Sequence, residues 1–360
     1  MTLSKQISKR NDEYGRYIGR KWAALISLIL ILLGAVLITL SVGSSGLPLS
    51  EILRVLFGGG EATSRIIIFN VRMPRIATGI SVGFALAMAG CIMQNVLRNP
   101  LASASTLGVA QGASFGAALA IVYFQAGVQI SAVSAATITI TNPYMVTVFA
   151  FLGGITSTVF ILLLSRISGV TPSAMILAGV ALGAMFTGGT ALIQYFADDV
   201  RIASIVYWTF GNLGRAGPNE ILLIFILSAA AFVYFILNRW NYNVMESGVH
   251  TAKSLGVNVD MLILVSMTVA TLISSVAIAF VGTINFIGLI APHIVRKLVG
   301  NEYRFLIPCS ALMGAVIMLA ADIASRMIMP PAVLPIGALT SFFGAPLFLY
   351  MIIKKGKTAI

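Results

Sequence analysis

Of the 360 residues, 58% are hydrophobic and only 9% are charged, and the mean hydropathy is +0.98. A soluble domain carries about 25% charged residues, so this chain cannot cover a water-exposed surface. A soluble enzyme, a disordered chain and a disulfide scaffold are all excluded. The net charge of +12 sits at the ends of apolar runs, which indicates membrane topology and argues against nucleic-acid binding. Cys91 and Cys309 both lie inside apolar runs, so neither a structural disulfide nor a zinc site is supported.

A helix needs about 20 apolar residues to cross the hydrocarbon core. The first such run, residues 22–41, follows a basic segment, 1–21, containing Lys5, Lys9, Arg10, Arg16, Arg20 and Lys21. It is too long for a signal-peptide core and has no convincing small-residue cleavage site, so it reads as an uncleaved span. Further runs fall at 76–97, 105–125, 144–165, 172–196, 220–238, 259–281, 285–297, 304–323 and 336–353. The eighth is short and is interrupted by Gly288 and Pro292. The expected fold is therefore an all-α polytopic membrane protein with about ten spans, a single transmembrane domain over 22–353 and a basic tail at 354–360.

Charge sets the direction. With both termini in the cytoplasm, the inner segments hold the N-terminal cluster, Arg98, Arg166, Arg239, Lys253, Arg296, Lys297, Arg304, Lys354, Lys355 and Lys357. Only Arg54, Arg65, Arg72, Arg75, Arg201, Arg215 and Arg326 fall outside, an asymmetry that obeys the positive-inside rule. Glycines recur four apart at Gly79/Gly83, Gly108/Gly112/Gly116 and Gly179/Gly183. Small residues on one helix face permit close backbone approach in lipid, and packing within one bundle is the expected use.

No complete catalytic motif is present. Gly356-Lys357-Thr358 resembles the end of a phosphate-binding loop, but Met351 stands where the pattern needs glycine. His250 and His293 are far apart in sequence and read as solvated or capping groups. Ion-driven transporters bury charged groups within spans. Here nearly every acidic residue lies in a loop or at a span end, and Asp322, the nearest exception, sits four residues before Arg326, the spacing of an ion pair on one helical face. A secondary transporter and a membrane-embedded enzyme are the competing classes, and neither has its signature. Energy for transport is expected from a partner.

Three stretches carry a resemblance. Arg72-Met-Pro-Arg75 precedes a glycine-rich span that ends in LRNPLASASTLGVAQGASFGA (97–117), ILAGVALG occupies 176–183, and TINFIGLIAPHIVRKLVGNEYRFLIPCSALMGA (283–315) leads to ADIASR (321–326) and LPIGALTSFFGAPLFLYMI (334–352). In this order they resemble the permease subunit of ABC importers for iron-chelates and vitamin B12. The resemblance implies ten helices and a second permease subunit, identical or paralogous. It also implies two cytoplasmic ATPases that carry the ATP hydrolysis, an extracytoplasmic binding protein, no cofactor, and a bacterial cytoplasmic-membrane location in contact with lipid. An iron–siderophore complex is the implied cargo, with haem or vitamin B12 as the alternative.

The resemblance also implies site residues. Arg72, Arg75 and Arg326 match positions that receive glutamates of the binding protein, and the proline at 74 suggests a non-helical Met73 and guanidiniums facing outward. The segment Glu246–Gly256 within the cytoplasmic loop 241–260, with Glu246, His250, Lys253, Leu255 and Gly256, is similar to paired coupling helices that rest on the ATPase. Asn99 and Leu101, with Thr171 and Pro172, match a cytoplasmic gate. One departure is Val333 before Leu334-Pro335-Ile336-Gly337, where many relatives carry an acidic residue.

Overall fold

The computed structural model describes residues 3–43, 46–124, 126, 129–130, 138–139, 142–168, 172–330 and 332–357. Each of the ten apolar runs coincides with a helix. They are α1 (Leu3–Ser41), α4 (Met73–Val96), α5 (Val109–Tyr123), α6 (Pro143–Ser168), α7 (Pro172–Tyr195), α9 (Pro218–Leu237), α12 (Val259–Val281), α13 (Ile287–Val299), α14 (Tyr303–Met327) and α15 (Ile336–Lys357). Among the described residues, 7 helices are long and apolar enough to span a membrane, with Val109–Tyr123 and Ile336–Met351 as shorter apolar helices. The basic N-terminal segment is continuous with the first span, because α1 runs unbroken from Leu3.

Short helices fill segments that the sequence reading left as loops, α2 (Leu49–Leu56), α3 (Ala62–Ile66) and α8 (Asp199–Thr209), while α10 (Arg239–Glu246) and α11 (Val249–Ser254) lie where the resemblance implied a pair of short helices. A ladder of β1 (Gln129–Ile130) with β2 (Ile138–Thr139) is antiparallel. The expected start of the second span at residue 76 is corrected. Helix α3 passes through a π-helical turn, Ile67–Arg72, straight into α4. Met73 is helical, with φ −60° and ψ −48°. Pro74 follows the π turn directly, so its missing N–H falls where the regular α-helical ladder is already interrupted.

Helix α4 is the centre of the bundle, packed by α9, α12, α13 and α14, whereas α1 leans on α14 with most of its surface exposed. The glycine pairs act within this chain, as expected. A Cβ on Gly112 would enter the shell of the Gly153 carbonyl, and one on Gly153 that of the Gly112 carbonyl, so α5 and α6 touch backbone to backbone. Gly83 meets Gly314 and Gly90 meets Gly288 in the same way. Gly112→Ala and Gly153→Ala should each cost about 1–3 kcal/mol through overpacking. Gly34 and Gly188 lie in helix interiors with nothing within 4 Å of an added Cβ, so alanine there should leave stability unchanged or raise it by up to about 1 kcal/mol. Thermal melting of the purified variants checks this contrast, and equal losses at all four positions would contradict the packing.

Helix directions are fixed by contacts at the two ends. At one end Lys21 at the start of the first apolar run pairs with Glu302 at 2.6 Å, just before α14, and α4 ends against α10. At the other end α1 stops beside Arg72 and Arg326. There too, the Asn212 N–H donates to Val281 O at 2.7 Å, the Gly337 N–H to Phe210 O at 2.9 Å, and the Thr283 hydroxyl to Thr209 O at 2.6 Å. These bonds tie the segment 209–212 at the end of α8 to the end of α12, to Thr283 and to the start of α15.

Candidate functional site

The three arginines singled out in the sequence converge at the end of the bundle where α1 stops, but their guanidiniums turn inward. Arg72 is 4% exposed and donates to the Leu40 carbonyl. Arg326 donates to Val42 O at 2.7 Å and Thr39 O at 3.3 Å. Both thereby serve the carbonyls that a helix C-terminus leaves unsatisfied, where cations are also favoured by the dipole. Gly43 lies close beside them, since a Cβ there would come within 2.9 Å of Arg72 Nη2 and the guanidinium would have to shift. The outward projection expected of Arg72 and Arg75 is thus corrected, because the helical π turn rotates both side chains toward α1 and α14.

Asp322 is the hub of the cluster and is fully buried. Arg75 Nε lies 2.6 Å from its Oδ1, and Arg326 Nη2 lies 2.8 Å from its Oδ2. The expected Asp322–Arg326 pair is present, and Arg75 joins it from a helix 247 residues away in sequence. Arg75 and Arg326 therefore share one carboxylate, and Arg72 and Arg326 share the backbone carbonyls at the end of α1. Such an arrangement keeps a positive potential at its partly exposed rim, where Arg75 and Arg326 side chains retain 15% and 11% of their accessibility.

At the opposite end, the segment 241–260 holds α10 and α11 joined at Gly248, whose φ of +114° only glycine adopts readily. His250, Lys253, Leu255 and Gly256 are exposed, and Leu255 presents 66% of its surface. Lys253 Nζ approaches Asp260 at 3.4 Å. Glu246 is exposed as well, but its carboxylate is tied to neighbouring segments. Its Oε1 accepts from the Tyr303 hydroxyl at 2.8 Å and from Asn95 Nδ2 at 3.3 Å, and its Oε2 accepts from Asn301 Nδ2 at 3.4 Å. Asn95 Nδ2 also donates to Tyr242 O at 3.1 Å, and Gln94 accepts from Arg296 Nη1 at 2.5 Å while donating to Gly288 O at 3.1 Å. Burial raises the Tyr242 phenol well above its ordinary value, so it stays protonated against Ser266 Oγ at 2.8 Å.

Asn99 and Leu101 form a side-chain-capped turn, Leu101 N–H donating to Asn99 Oδ1 at 2.8 Å, four residues beyond Asn95. Thr171 lies outside the described residues, and Pro172 begins α7. The turn, α10 and α13 border an open cleft of about 470 Å³ lined by Asn95, Arg98, Glu246, His293, Arg296 and Lys297 among others. His250 lies on the exposed face of α11, apart from this cleft. Gln94, Asn95, Asn301 and Tyr303 were missed by sequence reasoning. The available signal was the amide pair Gln94-Asn95 at the end of an apolar run, since polar groups inside a span are expensive.

A helical membrane bundle with a charged cluster at one end and paired short helices at the other is the architecture of a transporter's membrane subunit. Residues 29–354 match the FecCD transport family model. A Methanocaldococcus jannaschii protein described as an ABC transporter permease is 50% identical over 96% of this chain and 98% of its own length. The iron(3+)-hydroxamate import system permease protein of Bacillus subtilis is 34% identical over 97% of this chain and 86% of its own length. A solved inward-facing conformation of a metal-chelate type ABC transporter superposes with a TM-score of 0.78 at 30% identity, covering 92% of this chain and 98% of that one. The chain belongs to the FecCD family and is the permease subunit of an ABC importer.

Proposed function

We propose that this permease carries an iron–siderophore complex, handed over by an extracytoplasmic binding protein, along a path shared with a second permease subunit. Ten spans place both termini in the cytoplasm, as the Lys/Arg asymmetry supports. Two ATPases engage the exposed face of α11, where Leu255 and Lys253 stand out, and closure reaches a gate at Asn99–Leu101 and Thr171–Pro172. The chain adds no covalent chemistry and no cofactor, and it sits in the cytoplasmic membrane. The cargo follows the likeness to the hydroxamate permease.

The observation that carries docking is the pairing of both Arg75 and Arg326 with the single carboxylate of Asp322. A carboxylate from a binding protein meeting the rim of Arg75 and Arg326 balances the second guanidinium, and Arg forks pair bidentately with carboxylates. Because the arginines also hold this chain together, the clean test alters the partner. In vesicles holding both permeases and the ATPases, ferric-siderophore uptake should require ATP and the binding protein. Alanine at the binding protein's facing carboxylates should weaken association by at least about tenfold, within the range of interfacial charge pairs. Unchanged association would remove the docking role, and uptake without ATP would remove the importer reading.

A further inference from the structure

We infer that α2 is a membrane-surface helix whose exposed apolar stripe lies in the lipid leaflet at the end of the bundle where α1 stops. The helix has three faces at about 100° per residue. Ile52 and Val55 point into the protein and are fully buried. Next to them, Leu49, Leu53 and Leu56, with Phe57 at the C-cap, are 50%, 42%, 36% and 89% exposed. Ser50, Glu51 and Arg54 complete the circle as a polar stripe. A helix lying in water beside its own protein buries its apolar residues on one side only. This one has a second apolar stripe adjoining the first and a polar stripe opposite them, the pattern of a helix lying in a membrane interface.

Depth follows from what α2 packs on. Ile52 and Val55 share one apolar cluster with Leu40, Ile68, Ile76 and Leu319, flanked by Val36 and Ile80. These partners lie in the last turns of α1, the π-helical turn, the first two turns of α4 and the last third of α14. From Trp22 to Ser41 a helix rises about 30 Å, the thickness of the hydrocarbon core, so Leu40 and Val36 lie at and just inside its boundary. The stripe of α2 is therefore continuous with the lipid-facing surface of α1, where Leu33, Leu37 and Ile38 are also exposed. Arg54 on the polar stripe can reach the phosphate layer while its stem lies along apolar surface. The occupant is a lipid surface. Seated there, α2 braces the end of α1 that supplies the Leu40 carbonyl to Arg72.

The test uses nitroxide labels on the full-length permease in vesicles of phosphatidylethanolamine and phosphatidylglycerol. Ser50→Cys, Leu53→Cys, Arg54→Cys, Leu56→Cys and Phe57→Cys are made one at a time; the natural Cys91 and Cys309 are buried, and the unsubstituted protein controls for their labelling. Collision with oxygen should dominate at positions 53, 56 and 57, and collision with a water-soluble nickel chelate at 50 and 54. The oxygen-to-nickel ratio should be several-fold higher at 57 than at 54, with or without binding protein. Nickel dominance at all five positions would overturn the inference. So would shielding of 53, 56 and 57 that appears only when binding protein is added or only as permease density rises, since the stripe would then seat a protein.

Discussion

Replacing Asp322 with alanine is expected to produce the largest stability loss of any single substitution in this chain. The carboxylate is fully buried, with Arg75 at 2.6 Å and Arg326 at 2.8 Å. Removing one member of a buried ion pair leaves a charge with neither water nor partner, which costs about 3–5 kcal/mol. Here two guanidiniums are left at once, with a third, Arg72, close by. Asp322→Asn keeps a hydrogen-bond acceptor and should lose less. The midpoint of thermal aggregation in detergent should fall in the order parent, Asn, Ala. An alanine variant as stable as the parent would show that the cluster does not form. The same reasoning changes how arginine variants are read. Reversing Arg72 and Arg75 to glutamate destroys internal contacts, so a loss of transport in such a variant measures folding together with docking.

The spans were legible because lipid permits only long apolar runs to cross it, and each run did become a helix. The short helices were less visible, for two different reasons. Helix α8 had a readable start: Asp198 caps it by accepting from the Arg201 N–H at 2.9 Å, and Ser204, Ile205 and Trp208 form its buried face. Helix α2 was hidden because its five apolar and three polar side chains span only eight residues, too short a window for periodicity to separate helix from loop. The π turn before Pro74 left no sequence mark beyond the proline, which by itself suggested an extended Met73. In the sites, Asp322–Arg326 was legible as a four-residue spacing within one helix. Arg75 joining Asp322, and Tyr303 and Asn95 joining Glu246, were not, because pairings across the fold follow from helix packing that no local pattern encodes.

Asn95 and Glu246 together make the second large prediction, because they join the segment proposed to engage the ATPase to the turn at Asn99–Leu101. Asn95 is 3% exposed and holds both the Tyr242 carbonyl and the Glu246 carboxylate of α10. The chain leaving it reaches Asn99 through the left-handed Arg98, φ +47°, and the Asn99 N–H returns to Gln94 O at 3.1 Å. A displacement of α10 must therefore pull on the last turn of α4 and on the turn that follows. A hydrogen bond to a charged group contributes about 1.5–3 kcal/mol, so Asn95→Ala and Glu246→Ala should each cut transport per ATP hydrolysed by roughly tenfold or more, while the ATPases keep turning over. If the two act through one link, the double variant should be no worse than the poorer single one, an interaction energy of about 1–3 kcal/mol in the cycle. Tyr303→Phe, which removes a different bond to the same carboxylate, should show a smaller loss of the same kind. Multiplying effects, or transport losses that merely track melting temperature across the series, would mean that the two residues only hold the bundle together.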